Sequence, residues 1–178
     1  QVRNAATLGG NLCQDVRCWY YRYPRTIGGP LRCLRKGSGP CLAVSGDNRY
    51  HGIMEGKKCF AVCPSDTAIA LAALNGKIKI AGPKGDRSMA VADFFNPFGN
   101  VLNRDEMVTE VEVPRLNGPV KQTFLKFSLR KPVDFAIASV ASVIAIKEGV
   151  CEDARLALGG VGPKPIRGRK AEEVMKGR

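Results

Sequence analysis

Hydrophobic and polar positions along this 178-residue chain follow no single period, and the changes of period divide it. Residues 65–74, Ser65-Asp66-Thr67-Ala68-Ile69-Ala70-Leu71-Ala72-Ala73-Leu74, set a run of Ala, Leu and Ile behind a Ser-Asp pair, which predicts an N-capped helix. Asn75-Gly76 closes it, because both residues tolerate a left-handed backbone. Residues 77–81 then alternate as a strand, and Gly82-Pro83-Lys84-Gly85-Asp86 is a turn. Val91-Ala92-Asp93-Phe94-Phe95 leads into a Pro/Gly loop at 96–100. Residues 106–113 alternate apolar with acidic positions, as a half-exposed strand does.

Pro114-Arg115-Leu116-Asn117-Gly118-Pro119 is the clearest boundary. After it, 124–130 alternates, with Leu125, Phe127 and Leu129 on one face and Lys126, Ser128 and Arg130 on the other. Residues 135–147 are apolar and rich in β-branched side chains, and Glu148-Gly149 turns them into 151–161. These three runs predict an antiparallel three-stranded sheet that needs helices over one face, and 171–176 starts one. At the other end, 1–14 reads as a strand entering a Gly-rich turn. Residues 14–63 show little periodicity and much Gly, Pro, Arg and Cys.

Composition narrows the class. A hydrophobic share of 44% and a charged share of 25% are those of a soluble globular protein, one medium domain or two small ones. The longest apolar stretch, 135–146, is too short for a membrane span and contains two serines. No secretory h-region opens the sequence, so a reducing, cytoplasmic setting is expected. The net charge of +12 is spread out, with modest clusters only at Arg32, Arg35 and Lys36 and at 164–170. No aromatic-studded basic strand or recognition helix accompanies it, so no nucleic-acid partner is expected. An acidic partner subunit, a nucleotide or an anionic cluster accounts for the charge equally well.

Two stretches carry chemistry. In Thr7-Leu8-Gly9-Gly10-Asn11 the glycines let a backbone pass close to a bulky anion, and Thr and Asn add short donors of the kind a pyrophosphate needs. The same residues also make an ordinary tight turn. The second stretch holds Cys13, Cys18, Cys33, Cys41, Cys59 and Cys63. So long an unpatterned segment needs a reason to be ordered, and metal–ligand bonds supply one. An even cysteine count fits disulfides. The close pairs Cys13/Cys18 and Cys59/Cys63 offer zinc only imperfect knuckles. An iron–sulfur cluster takes four thiolates from widely spaced positions. His51, the only histidine, has the chemistry of a ligand or proton carrier, but a loop histidine is most often at the surface and no role is assigned to it.

Arg3-Asn4-Ala5-Ala6-Thr7-Leu8-Gly9-Gly10-Asn11-Leu12, Pro64-Ser65-Asp66-Thr67-Ala68, Lys126-Phe127-Ser128-Leu129-Arg130 and Asp134-Phe135-Ala136 stand in an order that resembles the flavin-binding subunits of the molybdenum hydroxylases, the xanthine dehydrogenase and carbon monoxide dehydrogenase family. The resemblance runs over nearly the whole chain. The cysteine insertion is most similar to that of the hydroxybenzoyl-CoA reductase flavin subunit, which carries an extra iron–sulfur cluster. The fold so implied is α+β. Residues 1–114 would form part of a PCMH-type FAD-binding domain with a cluster-binding insertion at about 13–63. Residues 119–178 would form a truncated C-terminal domain, a small antiparallel three-stranded sheet with helices on one face. In the family a further FAD-binding segment lies upstream, so the chain reads as a fragment or processed product.

The resemblance also implies site residues. FAD contacts fall at Ala6, Thr7, Gly9, Gly10, Asn11, Ser65, Asp66, Met107, Val108 and Lys126. Asp66 can equally be a helix cap, and Met107 and Val108 ordinary packing. Lys126 matches a family lysine near the flavin ring, with Arg130 and Asp134 as structural partners. A [4Fe–4S] cluster is implied on Cys18, within Arg17-Cys18-Trp19-Tyr20-Tyr21, and on Cys33, Cys41 and Cys59. The last gap is longer here, through Asn48-Arg49-Tyr50-His51-Gly52, which leaves Cys63 as the alternate to Cys59; Cys13, the further alternate, reads as a spare buried beside the flavin turn. The implied role is an electron-transfer subunit between an external carrier such as ferredoxin and two partners, a small [2Fe–2S] subunit and a large molybdenum-cofactor subunit that holds the substrate chemistry. The chain has no acid, base or nucleophile arrangement of its own. The alternative is a zinc-stabilised, cysteine-rich structural or docking module without flavin.

Overall fold

The computed structural model describes residues 2–24, 26, 31–130 and 134–178, with side chains from residue 4 onward; the Arg3 side chain of the first motif lies outside the described residues. The chain opens with α1 (Val2–Ala5) and α2 (Leu8–Cys13), where a strand and turn were expected. Thr7 accounts for the difference. Its extended backbone and side-chain oxygen cap α2, Oγ1 accepting the Gly10 N–H at 3.0 Å, while Leu12 plugs the core at 0% exposure. Gly9 and Gly10 therefore sit in helical conformation and not at positive φ. A Cβ on Gly10 would lie 2.9 Å from Thr7 Oγ1, so the glycine makes room for the cap.

The regular structure described in the stretch from residue 14 to 63 is sparse and includes a 3-10 turn at Leu34–Lys36 and a bridge, Arg17 to Val62. Then come α3 (Asp66–Ala73), β1 (Lys77–Ala81), β2 (Arg87–Ala90), β3 (Phe95–Asn96), β4 (Gly99–Asn100) and β5 (Met107–Glu112). The antiparallel order β2-β1-β5 includes a strand, β2, at residues between the expected turn at 82–86 and Val91 for which no element is expected from sequence. Arg87 in β2 forks onto Glu106 beside β5, with Nε to Oε1 at 3.0 Å and Nη2 to Oε2 at 2.8 Å. With the Asn103 N–H also donating to it, that carboxyl is held at about 2 against its usual 4.5. A depressed carboxylate contributes stability above its unfolded pKa and loses it as pH falls through the folded one. The stability difference between the protein and Glu106→Gln, read from urea midpoints, is therefore expected to be full at neutral pH and to shrink between pH 4.5 and about 2.

The second sheet is β6 (Val120–Phe127), β7 (Ala138–Lys147), β8 (Val150–Gly159) and the two-residue β9 (Ile166–Arg167), all antiparallel; β9 extends the three expected strands. The last helix, α4 (Arg169–Met175), packs on β8. Register decides which face of β6 is covered. Lys126 pairs with Ser139, Phe124 with Ala141 and Gln122 with Val143, and Ser139, Ala141 and Val143 are buried beneath α3. Leu125 and Phe127 thus lie on the other face, 61% and 63% exposed, so the apolar side of β6 is not the side that α3 covers.

Both sheets share α3. Ala68 and Leu71 join Leu12, Ile78, Ile80, Val91 and Phe94 in one core, while Ile69, Ala72 and Ala73 join Ala141, Val143 and Ala157 in the other. A helix apolar on all sides is stable only when enclosed, which explains its Ala/Leu/Ile composition. Its far end is tied down by Arg167, whose Nη1 donates to Asn75 Oδ1 at 2.8 Å while Nε and Nη2 hold the buried Glu172 of α4. Among the described residues, no helix is long and apolar enough to cross a membrane.

Candidate functional site

The first site is built at the N-terminus of α3. Ser65, 1% exposed, is the cap, so Asp66 is free of that duty. Its Oγ accepts the Ala68 N–H at 3.0 Å and donates to Asn11 Oδ1 at 2.7 Å, fastening the Gly-Gly helix to α3. Asp66, one residue on, receives Lys126 Nζ at 2.6 Å from β6. Val108 packs against the core that holds Leu12, and its carbonyl oxygen would stand 3.9 Å from a Cβ on Gly9. Residues 7–11, Ser65, Asp66, Val108 and Lys126, far apart in sequence, are thereby assembled at one place. Ala6 is exposed beside them, and Met107, 66% exposed, turns away from the core. Lys126 also lines a cleft of about 470 Å³ with Leu125, Phe127, Ser139, Leu158 and Val161.

The second site lies in the insertion. The Arg17–Val62 bridge, with N–H···O distances of 2.9 and 3.1 Å, fixes the segments carrying Cys18 and Cys59 side by side. The turn at Leu34–Lys36, closed by Gly37 at φ 84°, folds Cys33 inward: its carbonyl accepts from Lys36 and Ser38. Cys18, Cys33, Cys41 and Cys59 line one small cavity of about 20 Å³ with Arg35 and Lys58. Burial pushes the Cys18 and Cys59 thiols up, and the neighbouring thiols push them further. Cys63 and Cys13 lie elsewhere, in the core around Leu12. Burial raises the Cys63 thiol to about 11. All seven cysteines are free. Among the described residues, no group of three or more His, Cys, Asp or Glu side chains converges as a site for a single metal ion.

Two residues beside these cysteines, Arg35 in the cavity wall and His51 against Cys18, are not singled out for the site by the sequence. Arg35 is 8% exposed at its side chain and gives Nη2 to Asp15 Oδ1 at 3.0 Å, yet its Nε and Nη1 are buried without a partner. In the sequence it counted only as part of a basic cluster. His51 is buried at 7% exposure, where a surface loop residue was expected. Its Nε2 stands 3.2 Å from Cys18 Sγ, and its Nδ1 is buried with no partner. Beside it opens a cleft of about 440 Å³ whose walls include Arg17, Trp19, Tyr50 and Phe135 and the expected pair Arg130–Asp134, whose Nε–Oδ2 distance is 3.3 Å.

Comparison with known proteins identifies the family. A family model described as the FAD binding domain in molybdopterin dehydrogenase matches residues 1–116, and one for the CO dehydrogenase flavoprotein C-terminal domain matches 123–178. The aldehyde oxidoreductase FAD-binding subunit PaoB of Escherichia coli (strain K12) is 35% identical over 175 residues, covering 94% of this chain and 52% of that protein. The glyceraldehyde dehydrogenase medium chain of Sulfolobus acidocaldarius is 41% identical over 115 residues, 64% of this chain and 40% of that one. The chain thus spans about half, or less, of the curated relatives it matches. Among solved structures, quinoline 2-oxidoreductase from Pseudomonas putida 86 superposes with a TM-score of 0.56 at 27% identity, over 62% of this chain and 38% of that one. A Cu,Mo-CO dehydrogenase shares the fold with a TM-score of 0.62 at 24% identity, over 65% and 40%. The chain belongs to the family of FAD-binding medium subunits of the molybdenum hydroxylases, of the xanthine and carbon monoxide dehydrogenase type.

Proposed function

We propose that this chain is the flavin- and cluster-carrying electron-transfer part of a molybdenum-cofactor oxidoreductase, with FAD held at the N-terminus of α3 and a [4Fe–4S] cluster held by Cys18, Cys33, Cys41 and Cys59. The observation that carries the cluster is Arg35. A buried N–H without an acceptor costs about 1–3 kcal/mol, and here one guanidinium has two such atoms beside four thiols. Thiolates and sulfides of an anionic cluster are the acceptors that this arrangement lacks. A cubane binds its thiolates to different irons, around a body and not at a point, which suits four cysteines that do not converge on one ion. The cavity of about 20 Å³ is water-sized, so cluster seating requires its walls at 33–43 to stand further from Cys18 and Cys59.

On the flavin side, residues 7–11 would take the pyrophosphate, with Ala6, Ser65 and Asp66 around it and Met107, Val108 and Lys126 towards the ring. Ser65 has no rotational freedom left, since its hydroxyl both caps α3 and holds Asn11. Lys126 supplies a positive charge whose position Asp66 fixes. When bound, FAD supplies the conversion between a two-electron reaction and one-electron centres. The relatives named as a medium chain and a FAD-binding subunit fit one chain of a larger assembly. By the family resemblance its partners would be a large molybdenum-cofactor subunit and a small [2Fe–2S] subunit, and an external carrier such as ferredoxin would exchange electrons with it.

The test is the iron and acid-labile sulfide content of anaerobically purified protein, with EPR after dithionite reduction. About four of each per chain, with a cluster signal, is the expected result. Zinc without iron or sulfide would sink the cluster assignment and leave the flavin assignment standing.

A further inference from the structure

His51 is the only histidine in the 178 residues, and the fold spends several contacts on placing it. Its backbone N–H donates to Asn48 O at 2.9 Å. Its ring is caged by Trp19 and Tyr20, with centroids 5.3 and 5.9 Å away. The cage leaves Nε2 facing Cys18 Sγ at 3.2 Å, within hydrogen-bond reach of sulfur, and leaves Nδ1 without a well-formed hydrogen bond; the polar group next to the ring on the other side is the Asn48 carbonyl.

A neutral imidazole carries one N–H, and this environment decides where it sits. With the proton on Nδ1, the donor has only the Asn48 carbonyl, which already takes the His51 backbone N–H and makes no well-formed bond to the ring, and the bare Nε2 lone pair points at the lone pairs of a thiolate. With the proton on Nε2, an N–H···S bond forms and only an acceptor is left empty. The second tautomer is favoured whenever Cys18 is deprotonated, as a cluster ligand must be. Among the described residues, Cys18 alone of the four cavity thiols has a side-chain hydrogen-bond partner. A bond of this kind withdraws charge from the ligand sulfur. It therefore stabilises the reduced cluster, which is more negative, over the oxidised one.

We propose that His51 is a positioning residue for electron transfer: its Nε2–H donates to Cys18 Sγ and raises the reduction potential of the cluster. The proposal rests on the cluster reading above. It is tested on the full subunit by EPR-monitored redox titration of the unaltered protein, His51→Phe and His51→Gln. Phenylalanine keeps the ring in its aromatic cage and removes the donor; glutamine restores an N–H. The expected result is a lower midpoint potential in His51→Phe at unchanged iron and sulfide content, with part of the shift recovered in His51→Gln. An unchanged midpoint in a fully loaded His51→Phe overturns the role of His51 and leaves the cluster standing. Unaltered protein without iron or sulfide overturns both. Pulsed EPR of unaltered protein labelled with ¹⁵N-histidine needs no variant: a ¹⁵N coupling to the reduced cluster is expected, and its absence overturns the proposal even if His51→Phe fails to load.

Discussion

Replacing Cys59 by serine is expected to take iron and acid-labile sulfide from about four per chain to less than half of that, whereas Cys63→Ser leaves both unchanged. The two thiols are four residues apart and both buried, so exposure does not separate them. Their neighbours do. Cys59 lines the cavity with Cys18, Cys33 and Cys41, and its thiol feels Cys41, Cys33 and the Arg35 guanidinium. Cys63 is packed instead against the core around Leu12, away from the other three thiols, where burial, with a smaller push from Asp66, raises its thiol to about 11. Serine at 63 instead places a hydroxyl in an apolar core. That variant should be less stable to urea by about 1–3 kcal/mol while still binding iron. Metal analysis and urea midpoints on both variants separate the two losses. The reverse pattern, with iron lost in Cys63→Ser and kept in Cys59→Ser, would transfer the fourth ligand to Cys63.

The second large effect is expected at Gly159, the end of β8. A Cβ there would stand 2.4 Å from Ser139 Oγ and 2.5 Å from Ile69 Cγ1, because α3 crosses the sheet at this point. Its φ is not positive, so the requirement for glycine is one of space and not of backbone conformation. Gly159→Ala is expected to lower stability by about 1–3 kcal/mol, read from urea unfolding. Adding Ser139→Ala should return part of the loss, since it removes one of the three obstructing atoms and a hydroxyl that has no partner. Ile69 would still block the rest.

What the sequence shows and what it hides follow from the range of the forces involved. α3 and β1 are legible because their patterns are local: a Ser-capped run of helix formers and a strict alternation. The motifs at 7–11 and 65–66 are legible as pieces, but the hydrogen bond between Asn11 and Ser65 that unites them spans 54 residues. α2 is hidden by its two glycines, each costing about 1 kcal/mol in a helix, and is rescued by the Thr7 cap and by burial of Leu12. The covered face of β6 is set by its register with β7 beneath α3, which puts Lys126 inward and Leu125 outward, against what hydrophobicity alone suggests. His51 and Arg35 became visible as site residues only once the insertion was folded, since neither belongs to a motif. Their single sequence signal is that polar, hydrogen-bonding side chains recur within a cysteine-rich stretch.

The sharing of α3 between two cores has a further consequence, for how the protein comes apart. Ala68 and Leu71 wall one sheet, and Ile69, Ala72 and Ala73 wall the other. Melting either sheet strips apolar cover from the helix on which its neighbour depends. Heating should then give one heat-absorption peak, although two family models divide the chain. A protease cut within 114–119, where the chain is irregular and largely exposed, should yield two pieces that elute together, held by a helix that neither half can spare.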